Sequence, residues 1–303
     1  MNNLDLKIKL GHLDLKNPVI TASGTFGFGR EYGELYDINQ LGAITTKGIT
    51  LKPKSGNPPP RIAETYGGIL NSVGLENPGI DRFIEEELPF LECLKIPVIV
   101  NIAGNTIEDY AIVAERLRGS NISAVEINIS CPNVNKGGLH FGTHPDSVYQ
   151  VTKAVRDKWD KTLIIKLTPN VTSITEIALA AQEAGADVIS LINTLLAMDI
   201  DIHKRKAILG NILGGLSGPA VLPVALRMVY QIAKVVKIPI IGMGGIMTGE
   251  DAIKFLLAGA SAISIGTGNF IHPTCPLEVL KGIEKYMKKY GFYSMKEIIG
   301  QLQ

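Results

Sequence analysis

Residues 163–193 read LIIKLTPNVTSITEIALAAQEAGADVISLIN. Leu163–Pro169 is an apolar run rich in β-branched residues and ended by proline. Ile174–Ala184 carries apolar residues at helical spacing, and Asp187–Asn193 is a second apolar run closed by asparagine. Such a strand, an amphipathic helix and another such strand form a βαβ unit whose parallel strands are buried on both faces. On either side the strand pattern recurs at Pro18–Gly24, Ala43–Gly48, Val98–Gly104, Ala124–Cys131, Ile238–Gly245 and Ala262–Gly268. Helical patterns at Thr106–Arg118, Pro145–Trp159, Ala220–Val236 and Glu250–Ala258 separate most of those after the second. Eight such strands predict an α/β fold, a (β/α)8 barrel; an open doubly wound sheet is the competing arrangement.

Three segments depart from simple alternation. Leu4–Leu15, two alternating runs around Gly11, predicts a β-hairpin capping the barrel floor. Thr50–Ile80 and Leu195–Pro219 read as long loops, each following a strand C-terminus, the end where barrels place their sites.

The 303 residues would allow two domains by length, but barrels of about this size form one, so residues 1–303 are expected to be a single domain. A hydrophobic fraction of 46% with few aromatics suits a large aliphatic core. Lysine plus arginine (30) balances aspartate plus glutamate (29), which argues against a nucleic-acid or anionic-membrane partner. No apolar run approaches the roughly 18 residues of a membrane span, and the opening MNNLDLKIKLGHLDL alternates charge with apolar residues, so a cytoplasmic location is expected. Cys93, Cys131 and Cys275 are far apart and the five histidines show no ligand spacing, so neither a disulfide framework nor a metal site is expected.

The strongest chemical signal is Asn128-Ile129-Ser130-Cys131-Pro132-Asn133 at the end of the fourth strand. Pro132 ends the ladder, placing Cys131 at the start of a loop whose glycine-rich tail, Lys136–Gly142, can act as a lid. Polar surroundings favour a reactive thiol there over a buried inert one; Cys93 and Cys275 read as structural. Glycine turns at Gly242–Gly245 and Gly266–Gly268, with Gly218, can bring backbone N–H groups against a phosphate, of a sugar phosphate or of a flavin nucleotide. Lys47 and Lys166 sit at strand ends, and Lys166 lies in a run too apolar to hold an ammonium without a facing anion. An anionic flavin ring would suit it. Asn71, Asn101, Asn128 and Asn193 punctuate the same rim, with amides able to read a heterocycle of alternating C=O and N–H groups. His140 and His144, near the lid, read as ordinary loop histidines rather than proton relays.

These residues, with Thr45–Thr50, Gly56–Arg61, Asn71–Gly79, Ile192–Thr194 and Gly214–Pro219, resemble class 1 dihydroorotate dehydrogenases over nearly the full chain. The resemblance is closest to class 1B, the NAD-linked catalytic subunit. It implies FMN contacts at Ala22, Ser23, Lys47, Gly48, Asn101, Asn128, Lys166, Ile192, Gly218, Gly244, Gly245, Gly266 and Thr267, with the phosphate on the last four. It implies dihydroorotate contacts at Lys47, Asn71, Ser72, Val73, Gly74, Leu75, Asn128, Asn193 and Thr194. Cys131 becomes the base that removes the C5 proton while C6 gives hydride to flavin N5. The branch implies a partner subunit carrying FAD and a 2Fe–2S cluster, two copies of each chain forming a heterotetramer, with NAD as final acceptor. The alternatives are the fumarate-linked class 1A enzyme, a dihydrouridine synthase, which the neutral charge disfavours, and a non-redox phosphate-binding barrel.

Overall fold

The computed structural model describes residues 4–129 and 141–303. Eight strands form the central sheet: Val19–Thr21, Ile44–Thr45, Val98–Ile102, Ala124–Asn128, Thr162–Lys166, Val188–Leu191, Ile240–Met243 and Ala262–Ile265. All eight fall inside the expected runs or within a residue of them. Neighbours pair in parallel in the order first, eighth, seventh and so on down to second. A parallel bridge from Ile20 to Ala43 joins the first strand back to the second, so the sheet closes into a barrel.

The helices form because each offers one apolar stripe to the barrel. Ile107–Leu117 buries Tyr110, Val113, Ala114 and Leu117, which recur at i, i+3, i+4 and i+7. Its start is set by a capping box between Thr106 and Asp109; Thr248 and Asp251 cap Gly249–Leu257 in the same way. Pro145–Arg156, Ile174–Glu183, Leu222–Ala233 and the terminal Cys275–Tyr290 complete the longer helices among the described residues. The hairpin Ile8–Leu10/Leu13–Leu15 lies under the barrel, where the His12 N–H donates to Thr162 Oγ1 at the foot of the fifth strand.

Two expectations need correction. The segments read as long loops hold strands: Ile62–Thr65, Gly68–Asn71, Gly214–Ser217 and Leu195–Ala197 form one four-stranded antiparallel sheet. Its pairing joins residues more than 140 positions apart, for instance Asn71 with Gly215, so no local periodicity announces it. Between the second and third strands a helix runs over residues 79–92, with a π-turn at Phe83–Glu87 just before Pro89. The proline lacks an N–H and crowds the preceding turn, and the wider turn accommodates it.

Candidate functional site at the barrel mouth

The described sequence-expected site residues lie at or beyond the C-terminal ends of strands, Asn101 one residue short of its strand's end, and contacts join several of them. Register pairs Asn128 with Lys166 and Lys166 with Ser190, so these three side chains share the inner face. Asn193 Nδ2 donates to Asn128 Oδ1 at 3.4 Å, and the Thr194 N–H closes onto Asn193 Oδ1 at 2.9 Å. Ala22, followed by Ser23, donates its N–H to Ile265 O, which brings the first turn beside Gly266.

The late glycine turns meet one another. A Cβ on Gly245 would stand 2.8 Å from Gly218 O, and one on Gly218 would stand 3.4 Å from Thr267 Cγ2. One on Gly244 would stand 3.4 Å from Ile192 Cγ1, and one on Gly266 would stand 3.6 Å from Ala22 Cβ. Gly218, Gly244 and Gly245 have φ of 104°, 129° and 75°, open to glycine and strained for other residues. Thr267 Oγ1 donates to Ser217 Oγ at 2.9 Å, pinning the eighth turn to the mouth sheet. The result is a cradle of backbone without side-chain bulk, suited to a phosphate.

Two cations stand at other strand ends. Lys166 is 5% exposed and makes no ion pair among the described residues, so its charge calls for an anion from outside the chain. Lys47 is half-buried; burial holds its ammonium below the usual lysine range, Glu76 opposes that, and Arg61 reinforces it. Gly48, next in sequence, faces Asn101, whose Oδ1 is buried with no hydrogen-bond partner among the described residues. A buried acceptor left open in this way needs a donor from a bound water or a ligand.

The segment from Asn71 to Leu75 overhangs this rim and is held from outside. Asn57 donates its N–H to Val73 O at 2.9 Å and its Nδ2 to Ser72 O at 2.8 Å. Asn77 donates Nδ2 to Leu75 O at 2.6 Å and accepts on Oδ1 from the Thr50 and Gly79 N–H groups. That brace holds Leu75 at φ 56°, a left-handed conformation that costs a non-glycine residue about 1 kcal/mol or more. Asn71 Nδ2 donates to Gly215 O at 3.3 Å, tying the segment to the mouth sheet, and Gly215 in turn abuts Thr194. Ser72 Oγ is buried without a partner among the described residues.

Cys131, Ser130, Pro132, Asn133 and His140 lie outside the described residues. Cys275 is buried, which pushes its thiol up to about 11, far from a working nucleophile. Cys93, expected to be structural, is exposed at the end of its helix, its thiol donating to Pro89 O. Among the described residues no group of three or more His, Cys, Asp or Glu is arranged to hold a metal. Sequence reading gave no individual role to Asn57 and Asn77, which lie inside the quoted motifs, and missed Glu126. The last is a carboxylate in mid-strand, 2% exposed, that accepts from Asn101 Nδ2 and Ser190 Oγ, each at 2.7 Å.

With the anion cradle and the buried ammonium on one rim, the chain falls in the class of α/β-barrel enzymes that hold a phosphate-bearing ligand. Residues 5–287 match the family model for dihydroorotate dehydrogenase. The chain belongs to the dihydroorotate dehydrogenase family. It is 60% identical to a protein of Alkaliphilus metalliredigens over 100% of both chains, and 55% identical to one of Geobacter sulfurreducens over 100% of both. A third relative, from Thermoanaerobacter sp., is 55% identical over 99% of both chains. All three are named dihydroorotate dehydrogenase B (NAD(+)), catalytic subunit, the branch to which the motifs pointed.

Proposed function

We propose that this chain, acting as one FMN-binding barrel domain over residues 1–303, oxidises (S)-dihydroorotate to orotate in pyrimidine synthesis. The carrying observation is that the glycine cradle, the buried Lys166 and the Asn101 acceptor, the last two without a partner among the described residues, all stand at strand ends of one barrel. The residues fit FMN: Gly244, Gly245, Gly266 and Thr267 hold the phosphate, with Gly218 beside them, and Ala22, Ser23, Gly48, Asn101 and Ile192 border the ring. When bound, FMN supplies the acceptor for the hydride that leaves C6 of the substrate.

The protein's own residues bind, orient and deprotonate. Lys47 meets the substrate carboxylate, at the edge of the braced segment that carries Asn71, Ser72, Val73, Gly74 and Leu75. Asn71, Asn128, Asn193 and Thr194 present donors and acceptors to the pyrimidine ring. Cys131, three residues beyond Asn128, takes the C5 proton. Lys166 supplies fixed positive charge to the ring that accumulates negative charge.

In this reading electrons pass to NAD through a partner subunit carrying FAD and a 2Fe–2S cluster, in a heterotetramer of two catalytic and two electron-transfer chains. The chain's three cysteines are too few for the four thiolates that usually hold such a cluster. In this reading the reaction runs in the cytoplasm. No helix among the described residues is long and apolar enough to cross a membrane. The test is to reduce the purified chain with dihydroorotate and add acceptors singly. Reoxidation that waits for the partner subunit and NAD supports the assignment, and rapid reoxidation by fumarate alone moves the chain to the fumarate-linked branch. A colourless chain that takes up no FMN leaves the non-redox barrel.

A further inference from the structure

Glu126 sits in the middle of the fourth strand, on the same inner face as Asn128, and nothing in the reaction above uses it. A carboxylate in such a place is costly unless donors reach it, and two do: Asn101 Nδ2 to Oε1 and Ser190 Oγ to Oε2, both at 2.7 Å. The carboxylate can only accept, so the amide facing it must present its NH2 group. That turns Asn101 Oδ1 the other way, toward Gly48, where a Cβ would stand 2.8 Å from it. The oxygen has no hydrogen-bond partner among the described residues.

We propose that Glu126 is a positioning residue that locks the Asn101 amide so that its oxygen, not its nitrogen, meets the bound cofactor and selects a ring N–H. The inference rests on the FMN reading and adds to it the determinant of which edge the amide recognises. Without the carboxylate, an amide is free to turn over, because its two ends have nearly the same shape and opposite hydrogen-bonding sense.

The test measures FMN dissociation constants by titrating FMN into the flavin-free chain, together with the position of the visible flavin band. Glu126→Gln keeps the volume but lets either end of Asn101 face it, and FMN binding is expected to weaken about tenfold, the scale of a buried ring N–H left without its acceptor. Asn101→Asp alone sets two carboxylates face to face and should weaken it further. The double variant Glu126→Gln/Asn101→Asp keeps the total charge, lets the new amide donate to the new carboxylate, and again leaves an oxygen toward Gly48. It should return to within about threefold of the native constant, with the native band position, where independent sites would show summed losses.

Native-like binding in Glu126→Gln, or additive losses in the double variant, overturns the proposal while leaving the FMN reading intact. Failure of the native chain to bind FMN overturns that reading instead. Should Glu126→Gln alone not fold, the double variant decides: a folded, FMN-binding chain supports the proposal and an unfolded one refutes it.

Discussion

Replacing Gly245 by alanine probes the cradle with a single methyl group. The residue has φ 75°, and left-handed backbone costs an alanine about 1–2 kcal/mol relative to glycine. The added Cβ would also stand 2.8 Å from Gly218 O and 3.0 Å from Leu222 N, both backbone atoms with no rotamer to yield. Relieving such overlaps costs a further 1–3 kcal/mol or so, giving roughly 2–5 kcal/mol in all. Gly291 supplies the control, because it has nearly the same φ, 74°, and a Cβ added there would meet nothing within 4 Å. Gly291→Ala should therefore lose only about 1–2 kcal/mol and bind FMN normally. Gly245→Ala should lose more and, by parting the two turns, weaken FMN by about tenfold or more as one charge-assisted phosphate contact goes. Chemical denaturation of the flavin-free chains and FMN titration measure the two effects separately. Equal stability losses in the two variants, with native FMN affinity in Gly245→Ala, would refute the close approach of the turns and the phosphate's place between them.

Cys131→Ser should retain FMN but slow its reduction by dihydroorotate at least about 10²-fold in stopped-flow absorbance; near-native reduction removes the thiol from the mechanism. Lys166→Ala should lower FMN retention or make the flavin harder to reduce, read by equilibrium titration against redox dyes, and an unchanged potential at full occupancy counts against its role. Burial keeps Lys47 below the usual lysine range, so its hold on the substrate carboxylate is lost as pH rises through a value lower than that of a free lysine. Glu76 is the charge that opposes the lowering, so Glu76→Gln should move the alkaline limb of kcat/KM to lower pH; a limb that stays put or moves upward contradicts the assignment.

What the sequence made legible follows from range. The barrel strands are short, buried and locally apolar, so Thr162–Lys166 and Val188–Leu191 could be read directly from residues 163–193. The mouth sheet could not, because Gly68–Asn71 and Gly214–Ser217 are glycine-bearing, partly buried strands that pair across more than 140 positions of sequence. Pro89 broke the helical pattern over residues 79–92 that the π-turn restores. At the site, Lys166 was visible as a charge inside an apolar run. Glu126, in Ala124–Asn128, carries the same signal and was masked by the louder motif that begins two residues later. Asn57 and Asn77 act through backbone carbonyls of the 71–75 segment, a role that only the folded chain displays.

The most direct test of the central claim is anaerobic mixing of the FMN-loaded chain with dihydroorotate while following the flavin absorption band. Bleaching with one orotate formed per flavin is the predicted result. A flavin band that dihydroorotate leaves unchanged, or a chain that takes up no flavin, would contradict it.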